Sequence, residues 1–369
     1  MQPAAASPPP WLRIAHSASM ARRAAIADTA HWVAMYRALE TERPDALFCD
    51  AYARRLAGAR GEQLLAAMPY GRAVAWAVAV RTRVFDELIL RIVQHGEVGT
   101  VLNLAAGLDT RPYRLPLPPA LHWIEVDLPR LLAHKQAQLA DAQPVCELEA
   151  VPLDLTDGVA RRALFARMNA TGRDMLVVTE AFLLYLPPAQ VADLAAELRA
   201  QSQVRGWLLD LLTPPVVQWF QLAWNGPLAR LGAEIQFGPA EGLAFFEQRG
   251  WRVREFRSTP EEAHRLGREP PWACAWHGLA EVLPAGLREA YRHLAGYVLL
   301  EPGPRGELTD APDCLPGAPR QSAPETVGGH RRARPGRGPG RAAWRRRTQW
   351  ASRRRCPAPV LGHDPQWAQ

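Results

Sequence analysis

Hydrophobic positions along this chain change period about a quarter of the way in. From about Ser17 to Glu40 they fall at helical spacing (Ile26, Ala30, Val33, Ala34), which predicts an amphipathic helix. Arg43-Pro44-Asp45 breaks that pattern. A second helix is predicted over about Asp45 to Ala57, and a longer one over about Tyr70 to Val93. Thereafter short apolar runs alternate with helical patterns. The runs predict strands at Thr100–Leu104, His122–Val126, Glu147–Val151, Met175–Thr179, Trp207–Leu211, Arg252–Phe256 and Tyr297–Leu300. Helices are predicted at Leu128–Ala142, Gly158–Ala170, Pro188–Gln201, near Pro239–Arg249 and through His264–His293, with a helical insertion from Pro214-Pro215 to about Leu231. Alternation of this kind predicts an α/β fold with a seven-stranded, mostly parallel sheet covered on both faces.

Beyond Glu301 the periodicity vanishes and Pro, Gly and Arg dominate, as in RRARPGRGPGRAAWRRR. Four regions result: a disordered N-terminus over 1–16, a helical layer or lid over 17–98, an α/β core over 99–301 with its insertion near 214–232, and a disordered tail over 302–369.

Charge sharpens that division. The whole chain carries +7, while the tail holds thirteen arginines, no lysine and five acids, a net of +8. Residues 1–301 therefore sum to about −1, and the basic character belongs to the tail. Its functional reading is a basic arm for nucleic acid or an anionic membrane, with Trp344 and Trp350 among the arginines. The favoured reading is a disordered extension, such as a shifted frame of a GC-rich gene would produce, since the fold is complete without it and no RNA-binding module accompanies it. The five cysteines have no CxxC or metal spacing and read as reduced thiols. No apolar run approaches a membrane span of about 18 residues, and the proline-broken N-terminus has no secretory core. Cytoplasmic localisation and no membrane are the expectation.

The candidate chemistry lies in Val101 to Pro129, VLNLAAGLDTRPYRLPLPPALHWIEVDLP. One apolar run ends in a small-residue turn, and the next ends in Asp127. In an α/β sheet that turn lets a nucleoside approach the backbone, and the acid takes the ribose hydroxyls. Gly107 and Asp127 stand 20 residues apart, the separation a strand–helix–strand unit needs. A dinucleotide wants three glycines for its pyrophosphate. Here the turn reads Ala105-Ala106-Gly107-Leu108-Asp109, one glycine with an acid where phosphates would sit. That favours a phosphate-free, zwitterionic ligand such as S-adenosylmethionine. Asp127 could instead begin a helix as its cap. Glu180 ends the fourth strand, where a carboxylate faces the ligand crevice; among Val, Phe and Leu it needs a partner, and a ligand ammonium is available.

AAGLDTRPYRL followed by IEVDLP resembles the leucine carboxyl methyltransferase-like family of S-adenosylmethionine-dependent O-methyltransferases, especially its bacterial branch, and the likeness runs from about Thr29 to about Glu301. It implies a class I methyltransferase fold, Rossmann-like, with a helical layer and helical lid insertions. The family usually has glycine where Ala105 stands. It also implies that Ala105 and Gly107 form the donor turn, that Asp154 and Leu155 contact adenine, and that Glu180, in TEAFLLYL, contacts the donor's ammonium. Arg83, on the helix before the sheet, would pair with the donor's carboxylate, Arg81 being the alternative. Asp154 or Asp157 could simply cap the following helix.

Asp109, Arg111 and Arg114 read as a helix cap and arginines that tie down neighbouring acids; a substrate-carboxylate role for one arginine is the alternative. Tyr185 is a candidate for the acceptor site or for the core. The histidines form no pair at metal spacing and nothing resembles a nucleophile–base triad, so no metal is expected. No general base stands out, which leans toward a carboxylate or acidic hydroxyl acceptor. The insertion near Val216–Leu231, the N-terminal helices and Pro270-Pro271-Trp272 should cover a largely apolar pocket for a small molecule; a protein C-terminal carboxylate is the other acceptor. Two competing functions are a short-chain NAD-dependent oxidoreductase, disfavoured by the missing glycines and the lack of a Tyr-x-x-x-Lys pair, and a nucleic-acid binder acting through the tail.

Overall fold

Seven strands form one sheet in the order β3-β2-β1-β4-β5-β7-β6 in a computed structural model that describes residues 28–68, 71–231, 233–270, 273 and 284–304. The strands are β1 (Thr100–Leu104), β2 (His122–Asp127), β3 (Glu147–Pro152), β4 (Met175–Thr179), β5 (Val204–Leu212), β6 (Trp251–Ser258) and β7 (Ala295–Pro302). Each contains its predicted run. β1 to β5 pair in parallel, and β7 enters antiparallel between β5 and β6. The predicted α/β architecture with its mostly parallel sheet is therefore the one found.

Burial on both faces follows from the period of two in a strand. Leu102, Ile124 and Val177 point into the core beneath helices α6 (Gly158–Asn169) and α7 (Pro188–Ala200). Their neighbours Val101, Trp123, Leu176 and Val178 point the other way, against α3 (Ala75–Gln94). Proline in the first turns of α5 (Pro129–Gln138) and α7 suits helix starts, where a missing N–H removes no intrahelical bond.

The N-terminal layer consists of α1 (28–41), α2 (Ala53–Ala67) and α3. The helix predicted over Asp45–Ala57 is displaced: residues 45–52 form turns and bends, and α2 starts at Ala53. The cause is tertiary. Buried Asp50 receives hydrogen bonds from Arg37 (2.9 Å) and Thr110 (2.7 Å), and its own N–H donates to Thr41, so this stretch follows its partners instead of helical propensity. Above the sheet, α8 (Pro214–Leu231) supplies the predicted insertion, and its Trp224 packs on Trp32 of α1 with centroids 5.1 Å apart. Near Pro239–Arg249 the helix is only Ala244–Glu247. Short helix α4 (Arg111–Arg114) was not predicted as an element of its own.

One cysteine departs from the expected thiols. Cys49 is disulfide-bonded, and Cys146, the other described cysteine, is free and buried. Scattered spacing carries no information on which cysteines a fold brings together. Residues 1–16, Pro271 and Trp272, and the basic tail with Trp344 and Trp350 lie outside the described residues. No helix among the described residues is long and apolar enough to cross a membrane.

Candidate active site

Strand order reverses between β1 and β4, and the crevice at the carboxyl ends of strands flanking such a switch point is where α/β sheets bind ligands. One cavity opens there, with about 1100 Å³ of empty space including its mouth. Ala105 and Gly107 after β1, Asp127 at the end of β2, Asp154 and Leu155 after β3, and Glu180 after β4 all line it, as do Arg81, Arg111 and Tyr185. Residues from four strand ends therefore converge on one cavity, Gly107 and Asp127 at the separation the sequence spacing implied and Asp154 and Leu155 where the resemblance put them.

The turn after β1 is held by Asp127. Its Oδ2 accepts the Gly107 N–H at 2.6 Å and its Oδ1 accepts the Leu128 N–H at 2.6 Å. Leu128 is the N-cap of α5 and makes no side-chain cap bond, so Asp127 braces the loop instead of capping the helix interior. A carboxylate accepts about four hydrogen bonds, which leaves capacity on each oxygen for a ligand hydroxyl. Burial pushes the Asp127 carboxyl up, against the two backbone donors. Gly107 has φ +54°, and a Cβ there would stand 3.4 Å from the Ala30 Cβ of α1. Two non-glycine residues among those described also have positive φ, Ala105 (+54°) and Ala181 (+56°), and both line this cavity. Such geometry costs about 1–2 kcal/mol per residue, and strain of this kind concentrates at ligand sites.

At the β3 corner, Asp157 caps α6 by accepting the Val159 and Ala160 N–H groups. Asp154 is thus not needed as the cap. Its Oδ1 takes the Thr156 N–H and hydroxyl at 2.9 and 2.7 Å, which sets the carboxylate on the cavity wall beside buried Leu155.

The opposite end of the cavity is ionic. Glu180 is bound by Arg81 Nε at 2.9 Å and by Arg111 at 2.7 Å. A counter-charge for Glu180 is therefore supplied by the protein itself, beside whatever a ligand ammonium would add. Burial alone would raise the Glu180 carboxyl, but Arg111 and Arg81 hold it below its ordinary value. Arg111 also reaches Asp86 (2.7 Å) and Asp109 (2.8 Å), while Arg114 chelates Asp86. Asp109 accepts the Arg111 backbone N–H and the Asn103 amide. Despite burial, the adjacent Arg111 holds Asp109 well below the usual carboxylate range. The acid read as repelling a pyrophosphate is thus neutralised by arginine, and the disfavouring of a dinucleotide rests on the missing glycines alone. Both readings of Asp109, Arg111 and Arg114 as cap and clamps agree with this geometry.

Arg83 is the clear correction. It pairs with Glu87 four residues on (2.9 Å) and donates to the Leu47 carbonyl, with its side chain 39% exposed and away from the cavity. Arg81, at 13%, is the α3 arginine in the site. Sequence reasoning missed two acids behind it. Asp86 and Asp210 both interrupt apolar runs (VFDELIL and WLLDLL), and an acid inside such a run signals a buried charge in need of a partner. Tyr185 hydrogen-bonds Thr29, and burial raises its hydroxyl pKa. Among the described residues no His/Cys/Asp/Glu group has the arrangement of a metal site.

These residues fit S-adenosylmethionine. Asp127, braced by backbone donors, keeps the acceptor capacity that ribose hydroxyls need, the lining Leu128, Leu153 and Leu155 are apolar as an adenine requires, and the Glu180–Arg81 pair offers opposite charges to an ammonium and a carboxylate.

Comparison with known proteins adds independent findings. A family model described as leucine carboxyl methyltransferase matches residues 30–199, a span that contains Arg81, Ala105, Gly107, Asp127, Asp154, Leu155 and Glu180. A protein of Parafrankia sp. (strain EAN1pec), named as a candidate S-adenosyl-L-methionine-dependent methyltransferase, is 35% identical over 249 residues, 64% of this chain and 80% of the relative. One of the same description from Frankia alni is 33% identical over 67% of this chain and 90% of its own. A third, from Mycobacterium sp. (strain KMS), is 32% identical over 67% and 89%.

Proposed function

This chain belongs to the leucine carboxyl methyltransferase family of S-adenosylmethionine-dependent methyltransferases, and from that premise we propose that it methylates an oxygen, preferentially the carboxylate of a small molecule. S-adenosylmethionine, when bound, would supply an electrophilic methyl group on a sulfonium, with a neutral thioether as the leaving group. The enzyme's task is then to align the two partners and exclude water.

One observation carries the choice of acceptor. Among the described residues no histidine or lysine lines the cavity, and the carboxylates at its ionic end, Glu180 and Asp109, are held ionised by arginine. Groups so held are poor proton acceptors, and a buried tyrosine with a raised pKa is no base. An alcohol would have to lose a proton during attack, whereas a carboxylate arrives already anionic, and its charge cancels that of the sulfonium as ester and thioether form. The cover supports a small acceptor: α1 contributes Thr29, Ala30 and Val33, with Tyr185 and Phe182 below. Arg81 would bind the donor's carboxylate, Glu180 its ammonium, Asp127 the ribose and Asp154 with Leu155 the adenine.

The test is a screen with methyl-labelled donor against carboxylic acids, phenols, alcohols and peptides ending in a free carboxylate. A methyl ester releases its label as methanol in mild base, and base-labile product from small acids is the expected result. Base-stable product from phenols or alcohols would overturn the carboxylate assignment, and labelling of peptides alone would overturn the small-molecule one.

A further inference from the structure

The cavity wall formed by Glu180 and Ala181 is held from behind. β4 ends at Thr179, whose ladder partner is Leu209, while β5 runs on to Leu212. Past the end of the ladder, the Asp210 carboxylate replaces it: Oδ1 accepts the Ala181 N–H at 2.8 Å. Its other oxygen faces Arg81 Nη1 at 3.5 Å, and Arg81 Nε donates to Glu180 at 2.9 Å. Asp210 is only 5% exposed and is not among the residues lining the cavity. A buried carboxylate is costly unless bound, and here its partners are the backbone of a residue in the left-handed region and a guanidinium of the site.

We propose that Asp210 is a positioning residue for the donor's amino-acid end: it pins the Ala181 turn and orients Arg81, and through these it sets Glu180. Loss of the anchor releases Ala181 from a conformation an alanine adopts only under constraint, and the Glu180–Arg81 pair moves with it. The nucleoside end, held by Asp127 and Gly107 across the cavity, is independent of Asp210. The inference rests on the donor placement given above, in which the amino-acid end lies at Glu180 and Arg81.

Two ligands separate the ends: S-adenosylhomocysteine carries the amino-acid portion, and 5′-methylthioadenosine lacks it. Calorimetric titration of both into wild type, Asp210→Leu, Asp210→Asn and Asp210→Leu with Ala181→Gly is the experiment, with melting temperatures recorded alongside. Asp210→Leu is expected to weaken S-adenosylhomocysteine by about tenfold to a hundredfold, the scale of one charge-assisted hydrogen bond, and to leave 5′-methylthioadenosine within about threefold. Adding Ala181→Gly should recover most of the loss, because glycine adopts positive φ without an anchor. A merely structural lesion weakens both ligands equally and is not rescued, and either of those results overturns the proposal. If Asp210→Leu does not fold, Asp210→Asn decides: S-adenosylhomocysteine weakened at least threefold with methylthioadenosine unchanged supports the role, and unchanged affinity for both overturns it. Failure of wild type to bind S-adenosylhomocysteine would instead overturn the donor placement itself.

Discussion

Replacing Arg111 with methionine tests whether the ionic end of the cavity is held by this one side chain. Arg111 is 3% exposed and touches three carboxylates: Asp86 at 2.7 Å, Asp109 at 2.8 Å and Glu180 at 2.7 Å. Methionine keeps much of the apolar stem and removes the charge, leaving those acids with Arg114 and Arg81. Breaking a buried pair by removing one partner costs about 3–5 kcal/mol. At roughly 2 °C per kcal/mol for a domain of this size, the melting temperature should fall by about 6–10 °C. Arg83→Met is the matched control, since it deletes a half-exposed helical pair with Glu87 worth only about 0.3–0.5 kcal/mol, or about 1 °C. Differential scanning calorimetry at neutral pH reads both. The pH dependence has a definite sign. Asp109 and Glu180 have folded-state values below their ordinary ones, so their stabilisation is complete above the unfolded values, near about 4, and fades as pH falls through the folded ones. The gap between wild type and Arg111→Met should therefore close in acid. Equal losses for the two variants, or a gap that widens below about pH 4, would refute the reasoning.

Two further predictions concern buried features of the same region. Ala105→Gly should leave stability within about 0.5 kcal/mol of wild type, because relief of φ +54° offsets glycine's extra unfolded freedom; Ala79→Gly inside α3 should cost about 1 kcal/mol, and equal losses in urea denaturation would contradict the strain. The Glu125 carboxyl is pushed up to about 7 by burial, against the attraction of Lys135 at 2.6 Å. Stability should therefore drop as pH rises from about 4.5 to about 7, by on the order of 3 kcal/mol, and a double variant with Glu125→Gln and Lys135→Met should lack that slope in urea denaturation between those values; the same slope in both proteins would sink the assignment.

Strands β1, β2, β4 and β5 were legible because their apolar runs are buried on both faces, so each run marks its own strand to within a few residues. Gly107 and Asp127 were legible for a related reason: the chain needs a fixed length to leave β1, cross the sheet and reach the end of β2. Asp154, Leu155 and Glu180 reached the same cavity through the resemblance, with their places at strand ends agreeing. The sequence reading preferred Arg83, whereas Arg81 is the one that lines the cavity, and a signal for that existed. Arg83 has Glu87 four residues on, an exposed pair, while Arg81 shares a face with buried Phe85 and Leu88. The displaced start of α2 had no local signal, and the arginines after the β1 turn were read as clamps without the identity of the acids they hold. Asp50 meets Arg37 and Thr110, and Arg111 meets Asp86 and Glu180, only because distant segments are brought together.

Calorimetric titration of S-adenosylhomocysteine into wild type and Asp127→Ala tests the central claim most directly. The account predicts one site per chain in wild type and a loss of about a hundredfold or more in the variant, since two charge-assisted hydrogen bonds to the ribose are removed, with the variant still folded by its melting transition. No binding by wild type, or equal affinity in the two proteins, would contradict it.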